Sequence, residues 1–151
     1  MIVRLATLPD EYETLETFLN EHWTSVQTQY RAKLIEKSFR LPLILCSERE
    51  GSLRGLIAAN QAGDNELTLH KIVVDSRYRH QGIASELLLE FTQMLDEQGL
   101  SSSLFVGRER GGLQKLYSDF GYASLPDSIM NTASHICMER PSIHYDPNDF
   151  S

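Results

Sequence analysis

The chain is short of the features that would place it in several broad classes. Of its 151 residues only two are cysteine, Cys46 and Cys137. Both sit in apolar, strand-like runs, where a buried free thiol is expected rather than a disulfide or a metal pair. No apolar stretch approaches the ~20 residues that a membrane-spanning helix needs. The opening MIVRLATLPDEY turns polar within a few residues and lacks the basic segment and long apolar run of a secretory signal. The expected compartment is the cytoplasm, with no membrane partner. Basic residues are outnumbered 14 to 21, for a formal charge of −7. That balance works against the counterion release on which nucleic-acid binding depends, so no nucleic acid is expected as a partner and a cationic small molecule is better matched. Repeats, low-complexity segments and internal linkers are missing as well.

What is present is the composition of one ordinary globular domain, with 41% hydrophobic and 23% charged residues. The reading is a single domain over residues 1–140 and a polar tail over 141–151. Ile2 to Ala6 predicts a short strand. Thr7 followed three residues on by Asp10, with Pro9 between them, marks a helix start, and the helix should reach about Asn20. Trp23, Gln27, Tyr30 and Leu34 recur at steps of three and four, which predicts a second helix to about Lys37. Beyond Arg40 the texture changes to LPLILCSERE, GSLRGLIAANQ and NELTLHKIVVD, separated by Glu50-Gly51 and Gly63-Asp64. These read as three antiparallel strands joined by hairpin turns. Ile83, Leu87, Phe91 and Leu95 then make one apolar stripe, with Gly99 where a helix C-cap belongs. SSSLFVG predicts a strand, GGLQKLYSDFG a shorter helix and HICMERP a last strand.

A helix that starts directly after a strand offers free backbone N–H groups and the positive end of its dipole, which together suit an anion. Here Gly82 removes the side chain that would keep an anion away, Ala84 stays small, and Arg77, Arg79 and His80 add donors. Neither G-x-x-x-x-G-K-[ST] nor G-x-G-x-x-G after a strand is present, so the turn is not a P-loop or a dinucleotide fingerprint. On spacing alone, a glycine that merely eases a tight strand-to-helix turn competes with a phosphate site.

The order of residues around this turn resembles a known family. LHKIVVD followed by SRYRHQGIASELL is similar to motif A of the GNAT superfamily of N-acetyltransferases, whose loop reads Q/R-x-x-G-x-G/A, and Arg79, Gly82 and Ala84 fill its places. Further on, LQKLYSDFGYASL resembles the family's motif B, with Leu116-Tyr117 and Phe120-Gly121-Tyr122 in the matching positions. The resemblance runs from about Arg40 to Arg140 in element order, and the first forty residues match as strand-helix-helix. It implies an α/β (α+β) fold, a mixed, mostly antiparallel central sheet of about six to seven strands flanked by about four helices. It further implies an acetyl-CoA-dependent N-acetyltransferase that moves an acetyl group directly to a primary amine of a small molecule or a protein. Acetyl-CoA would lie in a V-shaped gap between the strands ending at Val74 and Val106. The pantetheine arm would pair with Ile72, Val73 and Val74, and the pyrophosphate end would meet Arg79, His80, Gln81, Gly82, Ile83, Ala84 and Ser85. Family members often carry an asparagine after the second of these strands, where this chain has Gly107, Arg108 and Glu109. The resemblance also implies a homodimer. A non-catalytic acyl-CoA-binding module of the same fold is the alternative.

Transfer from a thioester to an amine needs a neutral nucleophile and a stabilised leaving thiolate. Tyr117, by its motif position, is the candidate for the second task; a tyrosine near ~10 is a weaker acid than a thiol near ~8.5, so a hydrogen bond is a more economical role than full proton transfer. For the base, strand alternation puts Glu66, Thr68, His70, Ile72 and Val74 on one face unless a bulge intervenes. His70 titrates in the right range, whereas Glu66, nearer the strand's start, would need a bridging water. A tyrosine packed on the sheet and a structural histidine are the competing readings of Tyr117 and His70. His22, His80, His135 and His144 show no metal-ligand spacing, so no metal is expected. There is no G-x-S-x-G elbow and neither cysteine has a positively charged setting, so no covalent acyl-enzyme is expected either. By the family's pattern the acceptor pocket would be lined by Trp23, Gln27 and Tyr30 and by the segment Pro126 to Ser134, although an aromatic stripe at helical spacing is more often core.

Overall fold

The hydrophobic texture beyond Arg40 makes a meander of strands, and everything else in the fold packs on it. The computed structural model describes residues 2–6, 10–22, 43–125 and 127–142. A short strand, β1 (Ile2–Leu5), and a helix, α1 (Tyr12–His22), open the chain. Strands β2 (Leu43–Arg49), β3 (Ser52–Gly63) and β4 (Glu66–Val74) follow as antiparallel neighbours. A 3-10 turn over Ser76–Tyr78 leads into α2 (Ile83–Gln98) and β5 (Ser101–Gly107). Then come α3 (Gly111–Asp119), the two-residue β6 (Ala123–Ser124) and β7 (His135–Arg140). The seven strands lie in the order β1-β2-β3-β4-β5-β7-β6. Only the β4–β5 pair is parallel, as expected where a helix crosses between neighbouring strands.

The sheet is apolar on both faces. On one, Ile83, Leu87, Phe91 and Leu95 of α2, each at most 4% exposed, close over Leu45, Ile57, Leu69, Leu104 and Val106. Each such side chain contributes roughly 1.5–3 kcal/mol through burial. Gly55 lets the helix sit this low, because a Cβ there would stand 2.9 Å from the Ile83 Cγ2. On the other face Leu15, Phe18 and Leu19 of α1 cover Ile44, Cys46, Leu56, Ala58 and Val73. Cys46 and Cys137 are both buried free thiols.

Three details differ from the sequence reading. Helix α1 starts at Tyr12, not near Pro9, because Glu11 is held outside the helix by the Arg4 guanidinium, which Glu11 shares with Glu48 of β2. The second hairpin turn is Asp64-Asn65, one residue later than Gly63-Asp64, since Gly63 pairs with Glu66 after a register shift that takes up an extra β3 residue. Three α-helices lie among the described residues; the helix expected from Trp23 to Lys37 and the tail beyond Ser142 fall outside them.

Candidate active site

Strands β4 and β5 start as paired neighbours and do not stay so. Parallel pairing runs from Glu66–Ser101 to Leu69–Leu104 and stops there. Beyond it β4 keeps its bonds to β3 as far as Val74–Gly55, while β5 keeps its bonds to β7 as far as Gly107–His135. The inner edges of the two strands, Ile72 to Val74 on one side and Phe105 to Gly107 on the other, therefore face a gap in the middle of the sheet.

A bulge sits where the gap begins. Ala58 pairs with Lys71 and Ala59 with Leu69, so His70 is the extra residue on β4. The single face expected for Glu66, Thr68, His70, Ile72 and Val74 is thereby broken. Leu67 and Leu69 before the bulge, and Ile72 and Val74 after it, all pack toward α2, whereas Val73 joins the α1 cluster. His70 stays on the α1 face with Thr68, where Asn60 Oδ1 is bonded to its ring Nε2. Asn60 Nδ2 donates to Gln61 C=O at 3.5 Å, so the oxygen is the atom aimed at the ring. Burial lowers the pKa of His70 from the ordinary histidine value. Glu66 lies four residues back along the strand, on the order of 13 Å away, beside Ser101 of the closed half. The structure does not bring Glu66 and His70 together.

At the open end of β4 the chain turns into α2. Gly82 is the N-cap at φ 80, a left-handed conformation that favours glycine, and His80 is also left-handed at φ 64. Gln81 and Gly82 are exposed, Ile83 is buried against Gly55, Ala84 is half-buried and Ser85 exposed. The first helical bond runs from Glu86 N–H to Gly82 C=O at 3.0 Å, so the amides of Ile83, Ala84 and Ser85 precede the ladder. A Cβ built on Gly82 would meet nothing within 4 Å. The turn is open.

A buried carboxylate fixes this turn from behind. Asp75, 1% exposed, accepts the Arg77 backbone N–H at 2.9 Å and the Arg77 guanidinium at 2.7 Å, and lies 3.5 Å from the His22 ring at the end of α1. The Arg77 guanidinium beside it holds the Asp75 carboxyl down at about 2. Arg77, grouped with the anion donors on sequence grounds, is thus committed to Asp75. Arg54 of β3 stacks over Tyr78 at 3.7 Å, and its backbone C=O accepts the Asp75 N–H at 2.8 Å. The sequence reading named neither Asp75, Arg54 nor Tyr78; an aspartate two residues before the nitrogen it caps was the available signal.

Across the gap, Tyr117 of α3 is 6% exposed within the α2-side core, edge-on to Tyr122 at 5.9 Å. Tyr122 donates its hydroxyl to Ser102 Oγ at 2.7 Å and so fixes the ring that Tyr117 leans on. Burial pushes the Tyr117 hydroxyl up to about 12, against a lowering by the nearby Arg110 charge. Tyr117 and His70 therefore stand on opposite faces of the sheet, on either side of the gap. The β5–α3 loop is tied by hydrogen bonds: Gln114 Nε2 donates to Gly107 C=O at 2.9 Å, and Arg108 donates its backbone N–H to Ser134 C=O and its Nε to Thr132 C=O, both at 2.9 Å. Trp23, Gln27, Tyr30 and Pro126 lie outside the described residues. The rest of the expected acceptor segment, through Ser134, forms a hydrogen-bonded loop that leaves Ile129 97% and Met130 56% exposed. Burial raises both cysteine thiols, Cys46 to about 12, which makes neither a nucleophile at neutral pH. Among the described residues no three His, Cys, Asp or Glu side chains gather closely enough to hold a metal ion, and no helix is long and apolar enough to cross a membrane.

Comparison with known proteins meets this geometry from outside. The PaiA N-acetyltransferase of Thermoplasma acidophilum, solved in complex with coenzyme A, has a TM-score of 0.68 at 20% identity, covering 93% of this chain and 99% of that one. The ribosomal-protein-S18-alanine N-acetyltransferase of Escherichia coli reaches 0.75 at 18% identity over 97% and 98%. The aminoglycoside 6'-N-acetyltransferase of Enterococcus faecium reaches 0.72 at 17% identity over 97% and 99%. A search of curated proteins found no match. Those structures share the fold, and a sequence profile described as "Acetyltransferase (GNAT) family" matches residues 7–122, a stretch that takes in the Gly82 turn, the bulged strand and Tyr117; the chain belongs to that family.

Proposed function

We propose that this acetyltransferase moves the acetyl group of acetyl-CoA directly to a primary amine across the gap between β4 and β5. The observation that carries the proposal is the end of β4–β5 pairing at Leu69–Leu104, which leaves strand edges exposed beside an open glycine turn. When bound, acetyl-CoA supplies an acyl group already activated as a thioester. The amides from Gln81 to Ala84, with Arg79, His80 and Ser85 alongside, would hold its pyrophosphate, for which the empty space over Gly82 is a fitting cradle. The unpaired edge from Ile72 to Val74 would take the pantetheine arm, and a backbone N–H there would face the thioester oxygen, where negative charge develops.

His70, on the α1 face, takes the proton from the incoming amine. Tyr117, on the α2 side, offers its hydroxyl to the departing sulfur. Placing the two on opposite faces suits a direct transfer, since acceptor and leaving group need not occupy the same space. The acceptor is an amine of a small molecule or a protein, and a net charge of −7 favours a cationic one.

The test is release of free thiol from acetyl-CoA with a panel of amines. Wild type should be accelerated by at least one amine, and Tyr117→Phe should slow the turnover number about 100-fold while leaving the affinity for acetyl-CoA within a factor of two. Equal turnover in the variant removes Tyr117 from the chemistry.

A further inference from the structure

Neighbouring residues of a strand normally point to opposite faces of the sheet. Across the β4 bulge they do not. His70 is turned to the α1 face, where its ring is bonded to Asn60. Lys71 pairs with Ala58, a member of the cluster that Leu15, Phe18 and Leu19 of α1 cover, and residues paired across two strands share a face. Lys71 therefore leaves the sheet on the α1 face as well. The bulge sets an imidazole and a primary amine side by side on the face assigned above to the acceptor.

The pair also stands where the gap opens. Pairing of β4 with β5 ends at Leu69–Leu104, so Lys71 is the second residue beyond the last pair and the one just before the Ile72 to Val74 edge. The sequence holds four lysines, Lys33, Lys37, Lys71 and Lys115. Of the two that are described, Lys115 is exposed on α3, whereas Lys71 is half-buried on the gap strand. Lysine is among the residues that folded chains most consistently keep in water, so a half-buried one at this point invites a chemical reason. Burial lowers its pKa from the ordinary lysine value, which at a given pH leaves more of the amine neutral and nucleophilic.

We propose that Lys71 is itself an acceptor: with acetyl-CoA in the gap and no amine substrate present, the enzyme acetylates its own Lys71 side chain. The inference rests on the reading of the gap given above, in which the thioester lies along Ile72 to Val74 and the amine arrives on the α1 face. The neutral Nζ forms a bond to the acetyl carbon, and the carbon–sulfur bond breaks with its electron pair left on sulfur. The proton lost from nitrogen passes through His70 and solvent to that sulfur. The products are Nζ-acetyl-lysine and the free thiol of coenzyme A, with no further reactant. A flexible four-carbon stem carries the amine from the strand that holds the donor, so no association step is needed. The modification removes the lysine charge and leaves an amide on the face that an amine substrate would use.

The experiment incubates the full chain with acetyl-CoA labelled in its acetyl group, without any amine, and follows intact mass, peptide mapping and released thiol. One labelled acetyl group per chain should appear on Lys71, matched by one free thiol, at a rate independent of protein concentration. His70→Gln should slow the labelling about tenfold. Lys71→Arg should abolish it, and Lys71→Gln reads the same quantity if the arginine variant does not fold. Lys115 is the built-in reference, because uncatalysed acetylation would favour the exposed amine. Labelling of Lys115 equal to that of Lys71, the same mass gain in Lys71→Arg, or a rate proportional to protein concentration overturns the assignment. Thiol release to added amines with Lys71 unlabelled would overturn it alone, whereas failure of wild type to bind coenzyme A would sink the reading of the gap.

Discussion

Strand β4 is two strands in one. From Glu66 to Leu69 it is bonded on both edges, to β3 and to β5, and its Leu67 and Leu69 are buried under α2. From Ile72 to Val74 its one ladder among the described residues is to β3, and it runs straight into the open Gly82 turn. The first half contributes stability and exposes no usable chemistry. The second leaves the edge from Ile72 to Val74 without a partner strand among the described residues, an edge that water or a ligand can complete. Substitutions in the two halves should accordingly separate stability from binding.

The largest expected effect is at the turn. Gly82→Glu puts a carboxylate where the phosphates of acetyl-CoA are proposed to sit, and should weaken binding about a thousandfold or more, about 4 kcal/mol, by calorimetry. Its left-handed backbone adds a stability loss of only roughly 1–2 kcal/mol. Gly82→Ala carries the same strain without the charge and should keep most of the affinity. If glutamate binds acetyl-CoA as well as glycine does, the turn is not the phosphate site. Leu69→Ala makes the opposite cut: with 3% of this side chain exposed, urea unfolding should show a loss of about 3 kcal/mol, while the folded fraction binds acetyl-CoA as before. A loss of affinity matching the loss of stability would mean that the two halves of β4 are not separable.

Legibility in the sequence follows the same division. The α2 stripe, the Gly82 turn and the Leu116-Tyr117 pair are local patterns, fixed by spacing within a few residues, and the family resemblance they carry was enough to expect a mixed, mostly antiparallel sheet with a helix after the strand ending at Val74. The bulge at His70 is not local. It depends on how β4 registers against Ala58 and Ala59, which strict alternation cannot foresee. Ile72 and Val74 were for that reason expected on the wrong face. The Asp75 web is hidden for a related reason, since its partners His22 and Arg54 come from α1 and β3.

Asp75 sharpens the comparison from the loop side, because it ties the open half of β4 to α1. Its carboxyl is held at about 2, below the ordinary 3.8, mainly by the Arg77 guanidinium. A depressed carboxyl contributes stability that is fully present above the unfolded value and is lost as pH falls through the folded one. For a group this buried the contribution is on the order of 2.5 kcal/mol at neutral pH, with about half gone by pH 3. The stability difference between wild type and Asp75→Asn, from urea titrations, should narrow by about 1 kcal/mol between pH 5 and pH 3. A difference that stays constant with pH would mean that Asp75 acts through shape and not through charge.

The smallest expected effect tests the bulge itself. If the extra residue exists to present His70 to the amine, His70→Gln should reduce turnover about tenfold, less than general-base catalysis usually supplies because water can also take the proton. The pH profile is the decisive readout. Burial lowers the pKa of His70, so the imidazole is neutral at pH 7 and its protonation should appear as an acid limb in kcat/KM below the ordinary histidine value of 6.5. Glutamine keeps a polar group able to meet Asn60 but cannot titrate, and the limb should vanish while acetyl-CoA affinity and urea stability stay near those of wild type. A limb that persists in His70→Gln belongs to another group, and the bulge would then serve only to turn Ile72 and Val74 toward α2.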